Sequence, residues 1–281
     1  MMTLTVMITG CSSGFGKASA ELFIQHGWNV VATMRRPEDS MIRACADQLL
    51  TTELDVANVA SIHSALDAAE VRFGRIDVVV NNAGVGLFSV FEATPMEAIR
   101  RVFETNLFGT MNVIQAIAPR FRTRGSGTVV NVSSGSGIAS DPLMSIYSAS
   151  KHALEGLSEA LYHELATQGI SVKLVEPGFV RDTSFVSTIL STMPKVPVPK
   201  SYDPYVDQIT RMFTEAYPME PATEAQVAGA IYAAASDGSD QLRYLAGADT
   251  AKKASVRWST SEDEYMAHMR GLFALRPGAV Q

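Results

Sequence analysis

Thr9-Gly10-Cys11-Ser12-Ser13-Gly14-Phe15-Gly16 decides the fold, because it stands between an apolar run, Thr3 to Ile8, and a segment with helical periodicity. The run before it reads as a strand. The segment after it, Gly14 to Gln25, sets Phe15, Ala18 and Leu22 on one face and meets Gly27 as its stop, which predicts a helix. Glycines at 10, 14 and 16 let the backbone turn tightly and approach a pyrophosphate, while the helix N-terminus offers N–H groups and positive dipole to it. The spacing is Gly-x3-Gly-x-Gly, not the Gly-x-Gly-x2-Gly of the commoner dinucleotide fingerprint. Glycines also simply end strands; the position at the first strand–helix turn makes this set a cofactor signal.

Outward from this turn, short β-branched runs alternate with helix-period segments. Strands are predicted over Thr3 to Ile8, Asn29 to Thr33, Glu53 to Val56, Ile76 to Val80, Thr128 to Val132, Ile170 to Val175 and Arg243 to Ala246. Helices are predicted from near Pro37, over Val59 to Phe73, from Pro95 through Ile114, over Tyr147 to Ala166, and from the cap Thr223 to Ala235. Repeated β-α-β order specifies an α/β fold: a doubly wound parallel sheet of Rossmann type, helices on both faces, and a ligand crevice at the strand C-terminal ends. A small C-terminal extension is expected to cover the substrate. The 281 residues suit a single α/β domain of this type, 1–281. Residues 184–220 are expected to form a lid or loop region, since Met193 to Pro204 carries prolines at 194, 197, 199 and 204 and is not expected to be regular helix.

Composition excludes several classes. The chain is 47% apolar and 19% charged, with a net charge of −6, so it has no basic footprint for nucleic acid. Two cysteines, Cys11 and Cys45, make a disulfide framework improbable and point to a cytoplasmic setting. No run approaches the roughly 18 apolar residues of a membrane span. His163-Glu164 lacks a second histidine four residues after the first, and no His/Cys cluster stands at metal spacing, so no metal is expected. No serine sits in a Gly-x-Ser-x-Gly elbow, which argues against a hydrolase.

The loop Thr9 to Gly16 resembles the Thr-Gly-x3-Gly-x-Gly signature of the short-chain dehydrogenase/reductase family, and the run Tyr147 to Gly156 with the extension to residue 281 is similar to its hydroxysteroid and retinol dehydrogenases. The resemblance continues through Asp55, Asn81-Asn82-Ala83-Gly84, Asn106, Ser134, Tyr147, Lys151 and Pro177-Gly178, over about residues 3 to 190. It implies hydride transfer between a nicotinamide and a carbonyl or alcohol carbon. The implied cofactor site comprises Gly10, Ser12, Ser13, Gly14, Phe15 and Gly16 at the phosphates, and Asp55 and Val56 at the adenine. Asn82, Ala83 and Gly84 follow at the end of the fourth strand, then Tyr147 and Lys151, with Pro177, Gly178, Val180 and Thr183 beside the carboxamide. Relatives that bind NAD usually carry an acid near the end of the second strand. Here Met34 takes that place and Arg35 and Arg36 follow, and a guanidinium binds a 2′-phosphate that a carboxylate would repel. NADP(H) is therefore expected, with Arg35 the better placed of the two.

Tyr147 and Lys151 lie four apart, on one helix face. A free phenol has a pKa of about 10 and is a poor acid or base near neutrality. A nearby ammonium is expected to lower it and let Tyr147 exchange a proton with the substrate oxygen. Ser134, 13 residues before Tyr147, matches the family's serine and would position that oxygen; Ser133 and Ser136 are its neighbours and competitors. By resemblance, Asn106 binds a water behind Lys151. Substrate contacts are expected from Ser140 to Ile146, from Leu87 and Phe88, and from the segment 184–220, whose Phe185, Met193, Tyr202, Tyr205, Met212 and Phe213 suggest a bulky, apolar ketone or secondary alcohol. Pairing through helices near 95–121 and 147–166 would give a homodimer or homotetramer. Two other readings are a non-catalytic NADP-sensing module, whose relatives lose the tyrosine or lysine retained here, and an extended-branch epimerase, whose glycine spacing and longer C-terminal domain are absent.

Overall fold

The computed structural model describes residues 3–40, 42, 47–181, 197–215 and 217–274. Seven parallel strands form one sheet: β1 (Thr5–Thr9), β2 (Asn29–Met34), β3 (Leu49–Glu53), β4 (Val78–Asn81), β5 (Gly127–Val132), β6 (Ile170–Pro177) and β7 (Arg243–Ala246). Their order is β3-β2-β1-β4-β5-β6-β7, so the direction of winding reverses between β1 and β4. Registers such as Ile8↔Ala32 and Ile8↔Val80 bring the C-terminal ends of β1, β2 and β4 level. The crevice of a doubly wound sheet opens at that reversal.

Every residue of β1 is buried, as expected of a strand covered on both faces. Val6 and Ile8 point to one side, into a core with Phe23, Val227 and Ile231 from α1 (Gly14–Gln25) and a later helix, Glu224–Ser236. Met7 points to the other, into a core with Ile62 and Leu66 of α2 (Val59–Phe73) and Ile117 and Phe121 of Gly109–Arg124. Phe23 and Phe121 are wholly buried, so truncating either to alanine should cost about 3–5 kcal/mol.

Several elements depart from the sequence reading. The third strand is Leu49–Glu53, not Glu53 to Val56, because turn chemistry takes over after Glu53. Asp55 accepts from Ala57 N at 3.0 Å and Asn58 caps α2 through Ala60 N and Ser61 N, so Asp55 and Val56 belong to the turn that starts the helix. The helix expected from Pro37 is a single turn, Pro37–Asp39, and residues 41 and 43–46 lie outside the described ones. The long helix after Pro95 comprises α3 (Met96–Phe103), a π-helical turn Glu104–Phe108 that carries Asn106, and α4 (Gly109–Arg124). Such wide turns leave a backbone offset that tends to mark functional positions. α5 spans Ser145–Ala166.

Residues 182–196, with the first part of the proline-rich segment and of the expected lid 184–220, lie outside the described ones, and 197–202 are not regular helix, as expected. After a turn at Lys200–Tyr202, α6 runs Asp203–Thr214 with Pro204 in its first turn, where its missing N–H leaves no bond unmade. α7 is Glu224–Ser236, capped reciprocally by Thr223 and Gln226. The C-terminal extension folds as α8 (Ala248–Ser259) and α9 (Glu262–Phe273), which the sequence reading left unassigned. Among the described residues no helix is long and apolar enough to cross a membrane.

One buried charge cluster lies under this architecture. Arg243 of β7 donates to Glu155 and Glu159 of α5 and to Glu176 of β6, whose side chain is fully buried. Burial, and then the neighbouring Glu155 carboxylate, raise the Glu176 carboxyl above its ordinary value of 4.5 despite Arg243. Glu155 Oε1 and Glu176 Oε2 are buried without a hydrogen-bond partner among the described residues, so nothing but Arg243 offsets the Glu176 charge. The folded chain thus keeps a proton that the unfolded chain releases above pH 4.5, and this site's contribution to stability falls as pH rises. Glu176→Gln mimics the protonated form. In urea denaturation the variant should gain on the wild type as pH rises above the ordinary glutamate value, by up to about 1.4 kcal/mol per unit. A constant difference across pH would show that Glu176 is ionised in the folded chain.

Candidate active site

A cavity of about 430 Å³ opens along the C-terminal strand ends, within the range of about 300–1,000 Å³ usual for small-molecule sites. It runs from the glycine turn after β1, past the ends of β2 and β4, to Ser134, Tyr147 and Lys151, and ends among residues of α6 and α8.

The glycine turn is shaped by close approaches. Gly10 and Gly14 have φ of +75° and +57°. A Cβ on Gly16 would lie 2.4 Å from Gly10 O, so only glycine lets α1 start this near the strand. Asn82 holds the turn from the side, donating from Nδ2 to Thr9 O at 2.8 Å and Gly10 O at 3.2 Å. Thr9 Oγ1 accepts from the backbone N–H groups of Asn82 and Ala83, both at 3.0 Å. The Asn82 side chain therefore binds the loop backbone. Among the described residues no side chain caps α1 at Ser13, and its first turn carries no acid, so the dipole end stays receptive to an anion. Gly10, Ser12, Ser13, Gly14 and Phe15 line the cavity; Gly16 supports them from behind. Cys11 is buried, donates to Ile8 O at 3.2 Å and has its thiol pushed up to about 12 by burial, which leaves it unreactive.

Met34 and Arg35 line the cavity at the end of β2, whereas Arg36 does not. Asp55 and Val56 line it beyond β3, and Val56 packs so closely on Gly109 that a Cβ there would come within 2.5 Å of its Cγ2. Ala83 and Gly84 line it after β4. These features fit a dinucleotide: a glycine cradle at a helix N-terminus, a cation at the end of β2, and a backbone passage that side chains would fill. Among the described residues no three His, Cys, Asp or Glu side chains are grouped so as to hold a metal.

At the far end, Tyr147 is buried in the first turn of α5 and makes a side-chain hydrogen bond with Ser134. Ser134 Oγ accepts from Ser136 N at 3.1 Å, which fixes its rotamer. Ser133 is buried with its hydroxyl unpartnered among the described residues, and Ser136 Oγ is committed to Asp141, so of the three only Ser134 meets Tyr147. Lys151 Nζ donates to Val132 O at 2.8 Å and sits 5.8 Å from the Tyr147 ring centre. Asn106 clamps Val85, accepting from its N–H at 2.8 Å and donating to its carbonyl at 2.9 Å, and donates to Ser150 Oγ at 3.0 Å. Both of its amide N–H groups are used there, and it does not line the cavity.

Charge in this region is governed by burial. The expected lowering of the Tyr147 phenol by Lys151 is not what the structure shows: desolvation pushes the phenol up to about 12, against the Ser134 hydrogen bond and with a further addition from Asp141. Lys151 moves the other way, down to about 8, because burial opposes its charge more than Glu155 supports it. Near neutral pH the phenol is therefore protonated, and the lysine is mostly so.

Pro177, Gly178 and Val180 line the cavity, and Thr183 lies outside the described residues. Gly178 N donates to Ala246 O at 2.8 Å and Phe179 N to Asp249 Oδ2 at 2.7 Å, so the loop after β6 is pinned to β7 and α8. The substrate wall includes the expected Phe88, Met144 and Phe213. Leu87 instead packs with Val102 and Ile146, Tyr205 and Met212 sit behind the wall, and Phe185 and Met193 lie outside the described residues. Thr210, Thr214 and Tyr217 join the wall from within the expected segment 184–220, whereas sequence reasoning missed Asp249, Thr250 and Lys253, which complete it. Asp141 faces Lys253 across 112 residues, a separation at which no periodicity gives warning.

The family model described as short chain dehydrogenase matches residues 4–194. An uncharacterized oxidoreductase of Schizosaccharomyces pombe is 36% identical over 239 residues, 84% of this chain and 98% of its own. The solved structure of a short-chain dehydrogenase from Streptomyces avermitilis superposes with a TM-score of 0.79 at 34% identity, covering 96% of this chain and 98% of that one. Another, a short chain dehydrogenase/reductase from Burkholderia phymatum in complex with NAD, gives 0.76 at 25% identity, covering 98% and 96%.

A Cβ on Gly178 would lie 1.8 Å from Asp249 Oδ1. Gly178→Ala should therefore cost about 1–3 kcal/mol in urea denaturation. Combined with Asp249→Ala, which removes the obstacle, the loss should be well below the sum of the two single losses. Strict additivity would rule out the collision.

Proposed function

Because this chain belongs to the short chain dehydrogenase family, we propose that it is an NADP(H)-dependent oxidoreductase that reduces a bulky, apolar ketone or oxidises the corresponding secondary alcohol. The observation that carries this reading is the Ser134–Tyr147 hydrogen bond inside a cavity continuous with the glycine cradle.

In the direction of reduction, the glycine turn and Arg35 would hold a nicotinamide dinucleotide, which would supply the hydride for the carbonyl carbon. Ser134 donates a hydrogen bond to the carbonyl oxygen and holds it beside Tyr147. Tyr147 Oη then gives its proton to that oxygen. The raised phenol suits this role, since the group is protonated in the resting chain and an alkoxide is a far stronger base. Lys151 offsets the phenolate charge left behind. Asn106, through Val85 and Ser150, keeps the lysine's surroundings rigid. Phe88, Phe179, Phe213 and Tyr217 favour an apolar substrate body, and α6 serves as the cover of that end. Arg35, facing the cavity where relatives carry an acid, supports NADP(H) over NAD(H). We further expect the chain to pair with copies of itself through α4 and α5, next to which Phe108 is 48% exposed.

Nicotinamide fluorescence separates the cofactors: NADPH should bind at least about tenfold tighter than NADH, and Arg35→Glu should reverse the preference, a difference of about 1.4 kcal/mol or more. Equal affinities in the wild type would remove the assignment of Arg35. On a panel of ketones, Tyr147→Phe should lower turnover by at least about 100-fold. Binding of NADPH with no turnover of any ketone or alcohol would favour a sensing module instead.

A further inference from the structure

Residues 195–281 lie beyond the stretch that the family model matches, yet α8 reaches the centre of the site. Lys253 Nζ lies 2.8 Å from both carboxylate oxygens of Asp141, in the loop between β5 and α5. Both side chains are nearly buried, 12% and 6% exposed. Asp141 Oδ2 also accepts from Ser136 Oγ at 2.9 Å, and Ser136 N donates to Ser134 Oγ, the partner of Tyr147. The backbone of the same loop rests on α8: a Cβ at Gly135 would lie 2.9 Å from Thr250 Oγ1 and 3.6 Å from Lys253 Cδ. An unbroken chain of polar contacts thus runs Lys253, Asp141, Ser136, Ser134, Tyr147.

Placing an ion pair here is expensive, because each ion is desolvated by several kcal/mol and an apolar pair of like volume would pack at least as well. A role beyond packing follows from what the pair holds. We propose that Asp141 and Lys253 are positioning residues for the Ser134–Tyr147 couple: the pair fixes Ser136, which orients Ser134, and its opposite charges cancel beside the phenol. The consequence for catalysis rests on the function proposed above; the effect on the phenol itself does not.

The charges around Tyr147 come from several elements. Lys151 and Glu155 lie on α5, Asp141 on the loop before it, and Asp249 and Lys253 on α8. Tyr217 stands before α7, and Glu176 and Arg243 lie beyond Lys151 on β6 and β7. Burial raises the Tyr147 phenol most, and of these charges Asp141 is the one that raises it further. Unpairing it should strengthen that action; removing it should leave Lys253 as an added cation with the reverse effect.

The test is a pH titration of the full chain carrying ring-labelled tyrosine, followed by NMR without substrate, with Tyr147 identified by its loss in Tyr147→Phe. Asp141→Asn should bring the phenol down by roughly one pH unit, the low end for a single unpaired charge. Lys253→Gln should move it up, so that no titration is seen below the wild-type value. The neutral double variant and Lys253→Arg should both return it near the wild type. Lys253→Arg and Lys253→Gln decide the matter if Asp141→Asn fails to fold. Shifts in the same direction for both single variants, or none in either, would overturn the proposal. A phenol that moves as stated in a chain that reduces no ketone would keep this device and remove the enzyme reading. An unmoved phenol in a chain whose turnover is lost with Tyr147→Phe would do the reverse.

Discussion

The ends of β1 and β4 are held together by Thr9 and Asn82, and the rest of the site depends on that clasp. The two strands wind away in opposite directions, so the gap beyond them would otherwise splay. Thr9 Oγ1 takes two backbone N–H groups from the β4 side, and Asn82 Nδ2 returns two bonds to the β1 side. These bonds satisfy buried backbone groups that no sheet ladder reaches. They also set the height at which the glycine turn leaves the sheet, and so where α1 can present its N-terminus.

From that point outward, desolvation outweighs the local charges. Tyr147 and Lys151 are both buried, and burial moves them in opposite directions, toward a neutral phenol and a lysine near its titration point. The same force acts farther back on Glu176, which keeps a proton despite contact with Arg243. A neutral phenol and a buried, weakened ammonium close to the reacting centre mark a low-dielectric interior in which any charge brought by a ligand is felt strongly.

Much of this was legible in the sequence, for reasons that can be named. β1 and β4 are mostly β-branched or apolar and buried on both faces, and α2 and α5 keep helical stepping, so pattern and burial agree. The third strand was misplaced because Leu54 and Val56 are apolar and buried yet belong to a turn built by Asp55 and Asn58. The wide turn at Glu104–Phe108 leaves the side-chain pattern nearly unchanged while it shifts the backbone, so Asn106 was found but its clamp on Val85 was not. Asp249, Thr250 and Lys253 were out of reach because their partners, Phe179, Asp141 and the Gly135 loop, are joined to them only by the final fold.

Gly135 and Gly178 act as two sockets in the frame, and the C-terminal helices plug into them through Thr250 and Asp249. Such a joint separates two kinds of evolutionary change. The frame, which handles hydride and proton, can stay constant while the plugged-in helices drift, provided the sockets stay small and the inserted side chains keep their reach. A lineage of such chains would then diversify in what it admits faster than in what it does to the molecule admitted.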